Sequence, residues 1–157
     1  MRPSLPVVNL WVGLLVFLVF ASDAQARLLR LAIERREVVL AGRAFGLAGP
    51  YEKLVGTAHF AVDPDLPQNQ IIVDLKLAPR NVHGEVEFSS DFYLLKPVDP
   101  GRSNGRLFYE AGNRGSKRIL QIFQKASRSA DPTTVEEFGD GVLMSRGFSF
   151  LWMGWQW

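Results

Sequence analysis

The most constraining feature of this chain is the apolar stretch at residues 147–157, which reads Gly-Phe-Ser-Phe-Leu-Trp-Met-Gly-Trp-Gln-Trp. Apolar side chains follow one another here instead of alternating with polar ones, which predicts a β-strand buried on both faces. Such a strand needs a neighbour at each edge and a layer of structure on each side. We expect the last strand of an open sheet to obtain these from residues beyond it, so we interpret the chain as the N-terminal part of a larger protein.

Composition indicates a folded segment and limits its partners. Hydrophobic residues make up 47% of the 157 positions, which favours one globular domain over a disordered chain. Lysine and arginine are scattered and the net charge is only +2, so we expect no nucleic-acid partner. Cysteine is absent, which excludes disulfides, thiolate metal sites and a cysteine nucleophile. The sequence predicts neither a metal site nor a cofactor.

Residues 1–26 have the form of a secretory signal peptide. Arg2 precedes an apolar run over residues 10–21, and the small residues Ala24 and Ala26 suit cleavage after Ala26. The run is shorter than the roughly 20 residues of a typical membrane-spanning helix. We therefore expect a secreted or periplasmic protein that is not held at a membrane after cleavage, with an uncleaved N-terminal anchor as the alternative.

The first half of the exported part predicts antiparallel structure. Apolar and polar residues alternate over residues 71–77 and again over 86–94, which predicts a hairpin with one wet face. Residues 57–62 favour a further short strand. Residues 29–33 favour a strand as well, although their spacing also permits a helix. The glycines and proline of residues 42–52 predict a loop.

From residue 106 the pattern becomes that of a parallel unit. Residues 107–111 predict a strand, 112–115 a glycine-rich turn, and 119–126 an amphipathic helix. Thr133 with Glu136 matches a capping box for a second helix, and Gly147 can end the last turn. Strand, helices and closing strand then make one β-α-β crossover after the antiparallel hairpin region. The predicted fold class is therefore α/β.

Several short motifs occur in a specific order over residues 31–157. They are Phe45-Gly46, Gly49-Pro50-Tyr51-Glu52, Asp63-Pro64, Asn69, Ile72-Val73-Asp74, Asp91 through Lys96-Pro97, Asn113-Arg114-Gly115 and Gly154-Trp155-Gln156. In these motifs the chain resembles the N-terminal portion of the secreted alpha/beta hydrolase domain family. The resemblance implies that residues 27–157 form an incomplete α/β-hydrolase-like sheet, truncated before the nucleophile elbow.

The resemblance also implies an exported serine hydrolase that acts on ester or related acyl bonds of a small-molecule substrate. Its serine, acid and histidine would follow one another in that order along the chain. No G-x-S-x-G motif occurs, and both His59 and His83 precede the place of the nucleophile. We therefore expect no catalytic residue in this chain and no activity from it alone.

Two segments are candidates for supporting the reaction in the complete enzyme. The turn after the third strand of this fold supplies an oxyanion donor, and an ordinary strand-to-helix turn is the alternative. The residues of that turn are Gly112, Asn113, Arg114 and Gly115. At the end of the closing strand, Trp155 and Gln156 are candidates for lining a substrate pocket.

The alternative function is a complete, non-catalytic, exported β-rich binding module. Trp152, Trp155 and Trp157 suggest glycans among its candidate ligands, because aromatic faces stack on sugar rings. Core packing of these side chains is the more favoured interpretation in so apolar a strand. The two hypotheses differ physically, since a complete module covers its closing strand and a fragment leaves it bare.

Overall fold

The protein, seen here as a computed structural model, is described over residues 26–112 and 117–154. Five strands in these ranges form one mixed sheet: β1 (Ala26–Val38), β2 (Tyr51–Val62), β3 (Val86–Pro97), β4 (Leu107–Ala111) and β5 (Ser149–Met153). Their order across the sheet is β1-β2-β3-β5-β4. Helices α1 (Ile119–Gln124) and α2 (Val135–Phe138) lie between β4 and β5 along the chain. Within the described residues, no helix has the length and apolarity needed to cross a bilayer.

The predicted α/β fold class, with an α/β-hydrolase-like sheet, is wrong. Antiparallel pairing joins β1 to β2, β2 to β3 and β3 to β5, and only β4 and β5 run parallel. The two helices have six and four residues, too few for a helical layer that matches the sheet. Lys125 ends α1 in a left-handed conformation with φ 54°, so the predicted amphipathic helix does not continue. The fold is therefore mostly antiparallel β-sheet.

The predicted hairpin strand at residues 71–77 is also wrong. This segment forms turns and a short 3-10 helix (Leu75–Leu77), and Ile71, Val73 and Leu77 are more than 80% exposed. The partner of β3 is β2, with an unbroken register of twelve residue pairs from Tyr51 opposite Pro97 to Val62 opposite Val86. Because β1 and β3 occupy the two edges of β2, and β5 occupies the other edge of β3, residues 71–77 have no free edge there to join.

The helices pack on one face of the sheet, which we call face A. The buried residues of this cluster include Tyr51, Tyr93, Leu95, Ile119, Leu120, Phe138, Phe150 and Trp152. Side chains on a strand point alternately to opposite faces, so alternate positions of β2, β3 and β5 reach this layer. Phe150 and Trp152 of β5 are 0% and 4% exposed. The closing strand is therefore paired at both edges and covered on face A.

Two buried polar side chains hold the layer on face A to the sheet. The hydroxyl of Tyr51 on β2 donates to the carbonyl oxygens of Met144 and Phe148, at 2.8 and 2.9 Å. The side-chain oxygen of Gln124, at the end of α1, accepts from the backbone amides of Leu143 and Met144, at 2.9 and 3.1 Å. Buried polar groups are costly unless they are paired, so these contacts fix the position of residues 143–148 against both the sheet and α1.

Candidate functional site

The opposite face of the sheet, face B, carries an apolar groove of about 510 Å³. Every strand contributes to its lining, for example Leu31 of β1, Phe60 of β2, Leu94 of β3, Leu107 of β4 and Leu151 of β5. The volume lies in the range of small-molecule sites, about 300–1,000 Å³. The groove exists because the second set of alternating positions on each strand is also largely apolar.

Face B is open where face A is covered. The β1 side chains Leu28, Leu31 and Ile33 are 51%, 52% and 53% exposed, and Phe88 of β3 is 45% exposed. Nothing among residues 26–112 and 117–154 packs over these side chains as a second layer. Soluble monomers seldom leave a contiguous apolar patch of this kind unless it binds a ligand or a partner. Face B is therefore the first candidate site.

A row of charged side chains borders the groove. The Glu52 side chain is 3% exposed and accepts from Nε and Nη2 of Arg36 at 2.7 and 3.0 Å, while Lys96 Nζ lies 2.6 Å from its Oε1. The hydrogen bond from Arg36 lowers the pKa of Glu52, with a smaller contribution from Lys96. Glu52 is therefore ionised at neutral pH, and one carboxylate faces two cations.

Arg106 adds a further positive charge at this margin. It lines the groove immediately before β4 and is exposed. No carboxylate in the described part of the chain forms an ion pair with its guanidinium. The border of the apolar groove therefore carries an excess of positive charge near the start of β4.

A second polar cluster lies on face A around Lys53, whose side chain is only 4% exposed. Lys53 Nζ lies 2.8 Å from Oδ1 of Asp131 and 3.0 Å from Oε2 of Glu37, and Arg35 Nη2 lies 3.2 Å from Oδ2 of Asp131. Burial alone would lower the pKa of Lys53, but Asp131 and Glu37 raise it overall. Two cations balance two carboxylates, so this cluster is a network that ties β1 and β2 to the segment before α2.

Lys117 lies beside this network without a carboxylate partner among the described residues. Its Nζ is 4.7 Å from the centroid of the Tyr93 ring, an arrangement typical of a cation–π contact. Burial lowers the pKa of Lys117, while Asp131 and Glu110 act in the opposite direction. The Tyr93 ring also packs edge-on against Trp152, with 5.5 Å between centroids. Lys117 thus sits on an aromatic surface near the end of β5.

Glu110 of β4 holds the start of α1 to the sheet. Its carboxylate accepts from the backbone amides of Arg118 and Ile119, at 2.9 and 3.0 Å, and from Nε1 of Trp152 at 2.6 Å. Trp152 is therefore buried with its N–H paired, and this arrangement rules it out as a stacking surface for sugar rings in the described fold.

Most of the predicted site residues lie outside the described ranges. Gly112 is described and lies buried directly after β4. Asn113, Arg114 and Gly115 of the predicted oxyanion loop are not described, and neither are the predicted pocket residues Trp155 and Gln156. Ala111 at the end of β4 pairs with Met153 at the end of β5 in a parallel register, so these two strands stop at the same end of the sheet. The predicted roles of these site residues stay predictions.

The described histidines form no arrangement for acid–base catalysis. Nε2 of His59 lies 3.0 Å from Nη2 of Arg30, and Ser89, opposite His59 in the β2–β3 register, makes no hydrogen bond to it. His83 is exposed in the turn before β3. A catalytic histidine pairs with a carboxylate or with a nucleophilic hydroxyl, and neither ring forms a hydrogen bond of this kind with a described residue. They also contain no group of three His, Asp or Glu side chains that could hold a metal ion.

Comparisons with known proteins give no match to this chain: no family model, no curated protein and no solved structure is significantly similar to it. The resemblance to the secreted alpha/beta hydrolase domain family therefore stays a prediction.

Proposed function

We propose that this chain is an exported, non-catalytic, β-rich binding module that holds an apolar ligand in the groove on face B. The observation that carries the proposal is the groove itself: all five described strands line it with apolar side chains, and no described segment covers it. Export rests on the signal-peptide pattern of residues 1–26.

The exposed side chains of β1 give a measure of the available binding energy. Fully burying a leucine or isoleucine is worth about 1.5–3 kcal/mol. Leu28 and Leu31, which line the groove, are each about half exposed, so covering them supplies about 1.5–3 kcal/mol. The buried and half-buried members of the groove give the ligand a fixed floor, because their positions are set by the sheet.

The test is binding of a neutral, environment-sensitive dye such as Nile red to the purified chain. Leu31→Ser removes one side of the groove, and we expect it to weaken dye binding about fivefold, since it removes roughly 1 kcal/mol of apolar contact. Leu47→Ser is the matched control, because Leu47 is 92% exposed and does not line the groove. Equal dye affinity in the Leu31→Ser variant and the wild type, with unchanged circular dichroism, would contradict the proposal.

A second candidate function follows from the same uncovered face. A sheet with a single covered face suits a section of a larger protein, and the resemblance implies an exported hydrolase of ester or related acyl bonds. In that case face B packs against another part of the enzyme, and the residues described here carry no catalytic group.

Hydrolysis of p-nitrophenyl butyrate separates the two candidates. The assay compares two proteins. One is residues 1–157, and the other is expressed from the full coding region, with any codons upstream and downstream of these residues included. Turnover only in the longer protein, together with loss of Nile red binding, would favour the hydrolase. No turnover in either protein and dye binding in both would favour the binding module. Turnover by this chain alone would contradict both candidates.

A further inference from the structure

The groove on face B combines an apolar floor with a positive margin, and this combination indicates one class of ligand. We propose that its ligand is a free fatty acid, with the alkyl chain in the groove and the carboxylate at Arg106, a ligand class that presupposes the proposed function. A purely apolar ligand would make no use of the charged margin. A hydrophilic anion would make no use of the groove.

Among the charged side chains at the border of the groove, Arg106 is the one best placed to bind the carboxylate of a ligand. Glu52 is shared by Arg36 and Lys96, so the carboxylate of that row is already paired with two cations. Arg106 is exposed, lines the groove and has no ion pair with a described residue. Guanidinium groups bind carboxylates through two parallel hydrogen bonds, which gives both strength and orientation. The excess cation at this margin is therefore complementary to a monoanionic head group.

The dimensions of the groove fit an alkyl chain. Its lining runs from Leu107 on β4, next to Arg106, to Leu28 and Leu31 on β1 at the opposite edge of the sheet. Five strands at about 4.8 Å spacing give about 19 Å across the sheet, and this is a minimum length because Leu107 and Leu31 are also offset along the strand direction. With C–C bonds that advance about 1.3 Å each in an extended chain, a ligand that crosses all five strands needs about 14 bonds or more. An alkyl chain of about 12 carbons therefore covers most of this width, and longer chains cover all of it.

The experiment measures displacement of Nile red by laurate and by 1-dodecanol, which share the alkyl chain and differ in the head group. For the wild type we expect laurate to bind about tenfold more tightly than dodecanol, because a charge-assisted hydrogen bond adds to the same apolar contact. The preference should shrink as salt rises, since Arg106 is exposed. Equal affinity for the two ligands would overturn the fatty-acid assignment and leave the proposed function standing. Binding of neither ligand, with no dye binding, would overturn both.

Matched arginine variants locate the head group. Arg106→Gln should bind laurate and dodecanol with similar affinity, and Arg106→Lys should restore part of the preference. Arg128→Gln is the control, because Arg128 is also exposed and has no described ion pair, but it does not line the groove. An undiminished preference in Arg106→Gln would overturn the role of Arg106. Co-sedimentation with phosphatidylglycerol vesicles, without binding of free laurate, would assign face B to a lipid surface and overturn the free fatty acid as the ligand.

Discussion

Replacing Gln124 by methionine should lower the free energy of unfolding by about 2–6 kcal/mol, since it leaves two donors without an acceptor and each costs about 1–3 kcal/mol. The residue is 0% exposed, and its side-chain oxygen is the acceptor for the amides of Leu143 and Met144. Methionine has similar length and flexibility, so the change removes the acceptor with little change in packing. Domains of this size are stable by about 5–15 kcal/mol in total, so the loss is a large fraction of it.

Urea unfolding followed by tryptophan fluorescence measures this loss as a lower midpoint with an unchanged m-value. Gln121→Met is the control, because Gln121 is exposed on the same helix and should change stability by less than about 0.5 kcal/mol. Equal midpoints for the two variants would refute the view that Gln124 holds residues 143–144 in place.

Two further predictions concern the sheet. Tyr51→Phe removes a buried donor to two carbonyl oxygens and should cost about 1–2 kcal/mol in urea unfolding, whereas Tyr109→Phe, at a position 56% exposed, should cost little. The pKa of Glu52 is lowered from its ordinary 4.5 by Arg36, so its contribution to stability is full above pH 4.5 and is lost as pH falls through the lower folded pKa. When urea midpoints are measured over a series of pH values, the midpoint of Glu52→Gln should therefore change less with pH in that acidic window than the midpoint of the wild type. An equal change of midpoint with pH in both proteins would contradict a stabilising ion pair between Glu52 and Arg36.

The sequence identified β3 correctly but not its partner. Alternation over residues 86–94 matches the observed strand, because Val86, Phe88, Phe92 and Leu94 share one of its faces. The same alternation over residues 71–77 occurs in a segment of turns, since periodicity reports which residues share a face and not which edge is free. The capping-box prediction was closer to the structure, because it depends only on neighbouring residues. The capping box of α2 is formed by Thr134 and Glu137, one residue after the predicted pair.

The groove on face B could not be read from the sequence because its lining comes from five strands that are distant along the chain. Leu28 and Leu31 approach Phe60 and Ala58 only through the β1–β2 register, which contains two irregularities. The charged margin likewise joins Arg36 to residues of β2 and β3. The closing strand, in contrast, was found because consecutive apolar residues are a local signal.

The closing strand does not by itself separate a binding module from a section of a larger protein, because β5 is paired at both edges and covered on face A, while Leu151 and Met153 are only partly covered on face B. What distinguishes the two is the area that the occupant of face B protects. A fatty acid fills the groove and should shield Leu31 but not Phe88, which stacks on Phe60 at 5.2 Å outside the lining of the groove. A protein layer should shield both. Carbene footprinting of the exported protein in its native form, with and without laurate, reads these two side chains directly: protection of Phe88 without added laurate would contradict the fatty-acid site, and laurate-dependent protection confined to Leu31 would confirm it.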